Sequence, residues 1–180
     1  MSQKLASYVA IPEWSPNPFS PRTVLWFCFG SFLLSSRSIP GSYWRVILLR
    51  LFGAKIGSGC RIKPGFRVKS PWRLNVGSSC WLGEDVWIDN LAPVSIGDSV
   101  CISQGAYLCT GNHDYRSPNF DLLVGPIVVE SEVWIAAQAV LAPGTRICET
   151  AVVGIGSVVS GLIPKGAVVR GNPSVRVGWR

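Results

Sequence analysis

One histidine, His113, is the residue in this chain best suited to proton transfer. It lies in the stretch from Cys109 to Val128, CTGNHDYRSPNFDLLVGPIV, whose Gly, Asn, Ser and Pro residues exclude a long helix or strand. Imidazole exchanges a proton near neutral pH, so His113 is a candidate general base that could activate a hydroxyl group. A single histidine in a loop is ordinarily a surface residue, so the surrounding elements must decide between the two interpretations.

Two neighbours of His113 could take part in the same chemistry. The carboxylate of Asp114 could orient the imidazole, although adjacent residues often point in different directions. The thiol of Cys109 is an alternative nucleophile, because it could carry an acyl group in a two-step transfer. However, Cys109 directly follows an aliphatic repeat position, so a place at a corner of the fold explains it more simply.

A six-residue period runs along the chain on both sides of this loop. Aliphatic residues recur at every sixth position in five sets of three, here called the anchors: Ile56, Ile62, Val68, Val76, Leu82, Ile88, Ile96, Ile102, Leu108, Val129, Ile135, Leu141, Ile147, Val153 and Val159. This period is typical of a parallel β-helix, in which three short strands and three corners form one coil. Successive sets begin 20, 20, 33 and 18 residues apart, so the third interval contains a large insertion. That insertion is the loop with His113.

The repeat also predicts which side chains face inwards. Residues four after each anchor are mostly small or β-branched and should complete the core. Residues five after each anchor should face outwards in columns, one of which contains Arg67, Trp87 and Tyr107, and another Arg61, Trp81 and Trp134. Exposed tryptophan is costly unless it is covered, so these columns predict a subunit interface or a floor for stacking sugars, with an interface favoured for most of them. Glycines that follow anchors, Gly57, Gly77, Gly83, Gly97 and Gly154, are expected to provide the permissive dihedrals of the corners.

Composition limits the class of protein. A length of 180 residues fits one domain, and the net charge of +7 favours an anionic partner. No nucleic-acid-binding motif is present, and we expect no nucleic-acid partner. Six cysteines without a CxxC pair, together with one histidine, argue against a metal site and for reduced thiols in the cytoplasm.

Residues 1–54 differ from the repeat. We expect a Pro-rich extended arm over residues 1–23, an apolar run over 24–34 and an apolar helix over 42–52. Neither run has the roughly twenty residues that span a bilayer. They could pack on the β-helix or on a neighbouring subunit, or they could lie on the membrane with Arg45 and Arg50 near phospholipid. Residues 55–166 should form the β-helix, with the loop at 109–128, and residues 167–180 a short basic tail.

Several motifs together resemble one family. These are the hexapeptide array, the loop NHDY at 112–115, the turn VWIAA at 133–137 and the closing segments IP at 163–164 and VVRGNP at 168–173. They are similar to the hexapeptide-repeat acyltransferases, over about two thirds of the chain, and the N-terminal region resembles the colanic-acid-type exopolysaccharide acetyltransferases. The resemblance implies an all-β, left-handed parallel β-helix of about five coils, acetyl-CoA as co-substrate and a homotrimer with sites between subunits. The left hand comes from the resemblance alone, because parallel crossovers are normally right-handed.

The resemblance also implies roles for particular residues. It makes His113 the general base and places Asp85 where related enzymes carry an acceptor-contacting asparagine, with Asn90 as a second candidate beside Trp87 and Tyr107. Coenzyme contacts are expected from Trp134, Ala137, Ile155, Ser160 and Gly161. A lysine that often binds the coenzyme phosphates in the family is absent here, and Lys165, Arg170 or Arg176 could replace it. A backbone amide near Ala136 or Ala137 could stabilise the oxyanion.

These observations predict an O-acetyltransferase that acts on a saccharide in exopolysaccharide synthesis, in the cytoplasm or peripherally at the inner face of the membrane. Two alternatives remain at this point. One is N-acylation of an amino sugar or amino acid, and the other is a β-helix scaffold without catalytic activity.

Overall fold

The computed structural model describes Tyr8, Asn17 and residues 19–180, and over the repeat it forms a three-sided prism of short parallel strands. The first face contains β1 (Lys55–Ile56), β4 (Leu74–Val76), β7 (Val94–Ile96), β12 (Ile127–Val129), β15 (Arg146–Ile147) and β18 (Leu162–Ile163). The second contains β2 (Arg61–Ile62), β5 (Trp81–Leu82), β8 (Cys101–Ile102), β13 (Trp134–Ile135), β16 (Val152–Val153), β19 (Ala167–Arg170) and β20 (Val175–Trp179). The third contains β3 (Arg67–Val68), β6 (Trp87–Asp89), β9 (Tyr107–Cys109), β14 (Val140–Leu141) and β17 (Val158–Val159).

The anchors form the core of this prism. All fifteen are buried, and the anchors of each face pair with one another between successive coils, as in Ile62 with Leu82 and Ile88 with Leu108. Most positions four residues later are buried too; the exceptions are the half-buried Cys60 and Trp72 and the exposed Asn112, which begins the excursion into the loop. The predicted outward columns also hold, since Arg61, Trp81, Cys101 and Trp134 lie in register on the second face. The six-residue period therefore predicted both the fold and the direction of its side chains.

Glycine is required after anchors for a different reason from the one predicted. Gly57 and Gly83 do not adopt a positive φ, but a Cβ on either would lie 2.6 Å from backbone atoms of the next coil. They are needed for close approach between coils. The left-handed corner positions fall elsewhere and are often not glycine, as at Ser79, Asp85 and Gln138.

The N-terminal segment forms helices that cover one end of the prism. α1 (Pro21–Leu25) continues through a π-helical turn (Trp26–Gly30) into α2 (Ser31–Ser35), and α3 (Tyr43–Leu51) follows. Val46 and Leu49 of α3 are buried against the first coil. The expected arm over residues 1–23 lies largely outside the described residues. No helix in the described part of the chain is both long and apolar enough to span a bilayer.

The two arginines predicted for the polar side of the second helix are used internally. Arg45 is fully buried, and its guanidinium donates to the carbonyl oxygens of Ser36 at 2.7 Å and Ile39 at 3.0 Å. Arg50 donates to the carbonyl of Ile56 at 2.6 Å. The expectation that they face phospholipid is wrong for Arg45, because its guanidinium satisfies buried carbonyls of the segment between α2 and α3.

The opposite end of the prism is closed by the chain itself. β19 pairs in parallel with β16, so the stack continues past residue 166, and β20 folds back antiparallel on β19. The amide of Ser174 donates to the Val158 carbonyl at 3.0 Å, which covers the last strand of the third face. At this end the last parallel strands of the second and third faces are therefore covered by later parts of the chain.

Candidate active site

The insertion predicted between the third and fourth coils is a β-hairpin at the edge where the third face meets the first. β10 (Gly111–His113) pairs antiparallel with β11 (Leu122–Val124). The hairpin leaves directly after β9, and the Gly125 amide donates to the Thr110 carbonyl at 2.9 Å to close its root. A rigid ladder therefore positions the strand that ends in His113.

The ring of His113 is held on two sides. Its Nδ1 lies 2.7 Å from the carbonyl oxygen of Phe120, and the rings of His113 and Phe120 stack with centroids 4.2 Å apart and planes 6° from parallel. The ring of Tyr8 packs edge-on at 5.6 Å. A carbonyl only accepts hydrogen bonds, so in the neutral ring Nδ1 carries the proton and Nε2 has the lone pair. This tautomer is the one that a general base requires.

Asp114 does not orient the imidazole as predicted. Its Oδ1 accepts from the Arg116 amide at 2.9 Å, and its own amide donates to the Asp121 carbonyl at 2.8 Å, so it shapes the turn of the hairpin. The group that orients the imidazole is the backbone carbonyl of Phe120. Phe120 itself adopts a left-handed backbone conformation, with a φ of 54°. The sequence contains no signal for a phenylalanine in this left-handed conformation, and Phe120 was missed for that reason.

Trp87 and Tyr107, predicted to contact the acceptor, lie side by side on the third face. Their rings stack with centroids 4.7 Å apart, and the guanidinium of Arg67 lies 4.7 Å from the Trp87 ring. The Tyr107 hydroxyl donates to Asp89 Oδ2 at 3.3 Å, while Lys69 Nζ lies 3.0 Å from Asp89 Oδ1. Burial raises the pKa of Tyr107 well above its usual value, so its phenol stays protonated. The sequence analysis missed Lys69 and Asp89, which lie in register one residue after their anchors.

Asp85, the third acceptor candidate, lies at the edge between the second and third faces. It is partly exposed and pairs with Arg37, which follows α2, at 2.5 Å between Arg37 Nη2 and Asp85 Oδ1. This ion pair joins the helical segment to the second coil. The carboxylate that Asp85 has in place of an amide is thus paired with an arginine of the same chain.

Asn90, the fourth acceptor candidate, has a structural role, and its assignment to acceptor binding is wrong. The residue is fully buried, its Oδ1 accepts from the Ser70 amide at 2.9 Å, and its Nδ2 donates to the Ser70 carbonyl at 2.8 Å. Every group that could bind a sugar is used inside the prism. The repeat pattern cannot reveal this, because the residue stands at a stretched corner where the period restarts.

Replacing Asn90 by Ala is expected to lower the free energy of unfolding by about 2–4 kcal/mol, because both backbone groups of Ser70 would be left buried without partners. Urea denaturation measures this loss, and Asn75→Ala, at an exposed asparagine of β4, is the matched control. Activity per folded molecule should not change. Equal stability of the two variants with weaker acceptor binding for Asn90→Ala would contradict the structural role.

Four of the predicted coenzyme residues surround one cavity of about 470 Å³. Trp134, Ala137, Ile155 and Arg170 line it on the second face and at the edge between the second and third faces. The Trp134 indole N–H donates to Ser103 Oγ at 3.0 Å, which fixes one wall. The Ala136 amide already donates to the Val153 carbonyl at 2.9 Å, so the Ala137 amide is the better candidate for an oxyanion donor.

The remaining coenzyme candidates lie elsewhere. Ser160 and Gly161 are exposed at the edge between the third and first faces, two coils beyond the hairpin with His113. Lys165 lies at another edge of the prism, between the first and second faces, where its Nζ pairs with Glu149 Oε2 at 2.6 Å. Arg176 is on β20, with its guanidinium 4.4 Å from the ring of Trp179. Lys165 is on a different edge from the cavity and from His113, so one chain does not bring it to either of them.

Comparison with known proteins identifies the family. No protein-family model matches the chain. Over 132 residues it is 44% identical to WcaF of Escherichia coli strain K12, a protein named as a colanic acid biosynthesis acetyltransferase, which covers 73% of this chain and 72% of WcaF. The chain belongs to the acetyltransferase family of WcaF. This acetyltransferase is also 29% identical to the galactoside O-acetyltransferase of E. coli K12 over 133 residues, 72% of the chain and 65% of that relative.

A solved structure confirms the architecture of the acetyltransferase. The hexapeptide-repeat acetyltransferase VCA0836 of Vibrio cholerae, solved with acetyl-CoA, superposes with a TM-score of 0.80 at 23% identity and covers 92% of each chain. The fold is the left-handed parallel β-helix of that group. The acetyltransferase is an acetyl-CoA-dependent enzyme, as predicted. Among the described residues no cluster of His, Cys, Asp and Glu is arranged to hold a metal ion.

Proposed function

We propose that the enzyme transfers acetyl from acetyl-CoA to a hydroxyl group of a saccharide in the synthesis of a colanic-acid-like exopolysaccharide, with His113 as general base. The observation that carries this proposal is the bond from His113 Nδ1–H to the Phe120 carbonyl, which leaves Nε2 free to accept a proton. The names of WcaF and of the galactoside O-acetyltransferase support a saccharide hydroxyl as acceptor.

The acetyl group passes directly from the thioester to the acceptor, without an acyl-enzyme intermediate. Nε2 of His113 removes the proton of the acceptor hydroxyl as its oxygen attacks the thioester carbonyl. The resulting oxyanion accepts a hydrogen bond from a backbone amide, for which Ala137 is the candidate. The C–S bond then breaks, and the coenzyme A thiolate takes up the proton held by the imidazolium. Acetyl ester and free thiol are the products.

A homotrimer would bring the parts of this site together. In one protomer His113 lies at the edge between the third and first faces, whereas the cavity with Ala137 and Ile155 lies toward the edge between the second and third faces. The whole third face separates them. A three-fold axis places one such edge of each protomer against the other edge of its neighbour, so each site would use two chains.

The N-terminal segment supports a cytoplasmic enzyme in peripheral contact with the inner face of the membrane. Residues 14–83 contain ten Lys or Arg residues and no Asp or Glu, and of these ten only Arg45 is buried. The helices in this stretch expose phenylalanine side chains, at Phe29 and Phe32 above all. Cations beside exposed aromatic rings are the combination that binds anionic lipid surfaces.

Incubation with acetyl-CoA and a panel of oligosaccharides, followed by mass spectrometry, tests the proposed activity. The expected product gains one acetyl group and loses it in mild alkali, because esters cleave under conditions where amides persist. An alkali-stable product would instead establish N-acylation. Failure to bind acetyl-CoA in calorimetry would leave only a scaffold role.

Cys109→Ser is expected to leave turnover close to that of the wild type. The Cys109 thiol donates to the Gly111 carbonyl at 3.0 Å at the base of the hairpin, so it serves the local structure. Steady-state kinetics measure the effect, and rapid mixing should show no burst of free coenzyme A without acceptor. A large loss of kcat together with a trapped acetyl-thioester would instead support a two-step transfer through Cys109.

A further inference from the structure

A second cavity on the second face, here called the adjoining cavity, continues the proposed coenzyme cavity along the prism. It has a volume of about 370 Å³, which is within the usual range of small-molecule sites. Its lining comes from the first three coils and includes the side chains of Arg61, Lys63, Trp81, Glu84, Ser103 and Gln104. Ser103 and Gln104 also line the coenzyme cavity, so the two cavities meet at the third coil.

The adjoining cavity has two cations without an acidic partner. Arg61 and Lys63 are exposed, and neither belongs to an ion pair in the part of the chain that the structure describes. Glu84 is the one acidic residue of the lining, so two positive charges and one negative charge leave a net charge of +1. A ligand with a single negative charge would neutralise the cavity.

The same cavity presents an aromatic surface. Trp81 is 52% exposed, and the Arg61 guanidinium lies 4.8 Å from the centre of its ring, so cation and ring form one continuous surface. Trp81, Cys101 and Trp134 lie in register on the second face, and the smaller Cys101 leaves a recess between the two indoles. A planar ring beside a fork of donors can pack on the apolar face of a sugar while the guanidinium binds a carboxylate.

The order of the coils places the candidate base beside the junction of the two cavities. Gln104 lies at the corner before β9, and the hairpin with His113 follows β9, so both belong to the third coil. With the three-fold axis of the proposed trimer along the prism, neighbouring protomers lie side by side with equal coils at equal height. His113 of the neighbouring protomer then stands level with Gln104. The donor cavity extends from this level towards Arg170, and the adjoining cavity extends from it towards Arg61.

We propose that the adjoining cavity binds the acceptor, and that the acceptor saccharide has a carboxylate, as a uronic acid does. The carboxylate pairs with Arg61 and Lys63, and the sugar ring packs on Trp81. The base then stands between the acceptor hydroxyl and the thioester, which is the order that direct transfer requires. The inference rests on the proposed function and deepens it by naming the class of sugar.

Ligand-observed NMR titrations of the full chain test the cavity with pairs of methyl glycosides that differ only at C6. The pairs are methyl glucuronide with methyl glucoside, and methyl galacturonide with methyl galactoside. In at least one pair the acid should bind about tenfold more tightly or better, because only the acid engages the two cations. A smaller difference in both pairs, or no detectable binding of either acid, would overturn the inference.

Glucose 6-phosphate separates a carboxylate site from a phosphate site. It should bind more weakly than the better-bound acid, because its second negative charge meets Glu84 in a cavity whose net charge is only +1. Tighter binding of glucose 6-phosphate than of both acids would overturn the assignment to a carboxylate.

Arg61→Gln and Lys63→Gln should each weaken the better-bound acid by about tenfold and leave its neutral partner unchanged. Lys55→Gln is the matched control, because it removes the same charge from an exposed position on the first face, outside the cavity. It should bind the acid as the wild type does. Loss of affinity in neither cavity variant, or an equal loss in Lys55→Gln, would contradict the inference.

Acetyl-CoA affinity, measured by calorimetry on the same samples, should be the same in all three variants, because none of these residues lines the coenzyme cavity. Absence of acetyl-CoA binding from the wild type would refute the proposed function instead. Failure of the inference and failure of the proposed function are therefore distinguishable.

Discussion

His113→Ala is expected to lower kcat by about two orders of magnitude or more, because the acceptor hydroxyl would lose the group that removes its proton. Acetyl-CoA binding should persist, since His113 is not among the residues that line the proposed coenzyme cavity. Initial rates of coenzyme A release, with calorimetry of acetyl-CoA on the same preparations, measure both quantities.

Asp114→Asn is the control for this experiment. The Asp114 carboxylate caps the turn by accepting from the Arg116 amide, and asparagine can accept the same bond, so turnover should stay near that of the wild type. Near-normal turnover in His113→Ala would refute the assignment of His113 as the general base. A loss in Asp114→Asn equal to that in His113→Ala would assign the orienting role to the carboxylate after all.

Two inactive variants are expected to restore activity to each other when they are refolded together. His113→Ala removes the base, and Ala137→Trp fills the cavity of about 470 Å³ on the other edge. If each site uses His113 from one protomer and Ala137 from its neighbour, random trimers retain both residues at about a quarter of their sites. Turnover of the mixture, compared with that of each variant refolded alone, measures the recovery.

The same mixture with the double variant His113→Ala/Ala137→Trp is the control and should stay inactive with either single variant. If native mass spectrometry shows mixed trimers but the first mixture recovers no activity, both residues belong to a site within one chain. A monomeric mass for the wild-type protein would directly rule out a site shared between protomers.

The prism itself could be predicted because its determinants are local and repeated. Each anchor, from Ile56 to Val159, is aliphatic and buried, and the backbone ladder places the anchors of successive coils over one another. The loop with His113 was found for the same reason, as the one large interruption of the period.

Residues outside the period resisted prediction because their surroundings are set by distant parts of the chain. Arg45 resembles a surface residue of an amphipathic helix, yet its partners are carbonyls of a segment that folds back over it. Asn90 resembles an exposed polar corner but bonds to Ser70, twenty residues earlier. Lys165 has the charge that a phosphate requires, but within one chain it pairs with Glu149, on an edge away from the cavity and from His113.

The covered ends of the prism limit how these molecules can associate. A parallel ladder with free terminal strands would accept another molecule end to end and could extend without limit, as fibrils do. Here α3 lies across the first coil and β20 lies antiparallel on the last strand of the second face, so the parallel ladder of that face does not continue beyond β19. Self-association is therefore expected through the flanks, and flank contacts related by rotation close into rings of defined size.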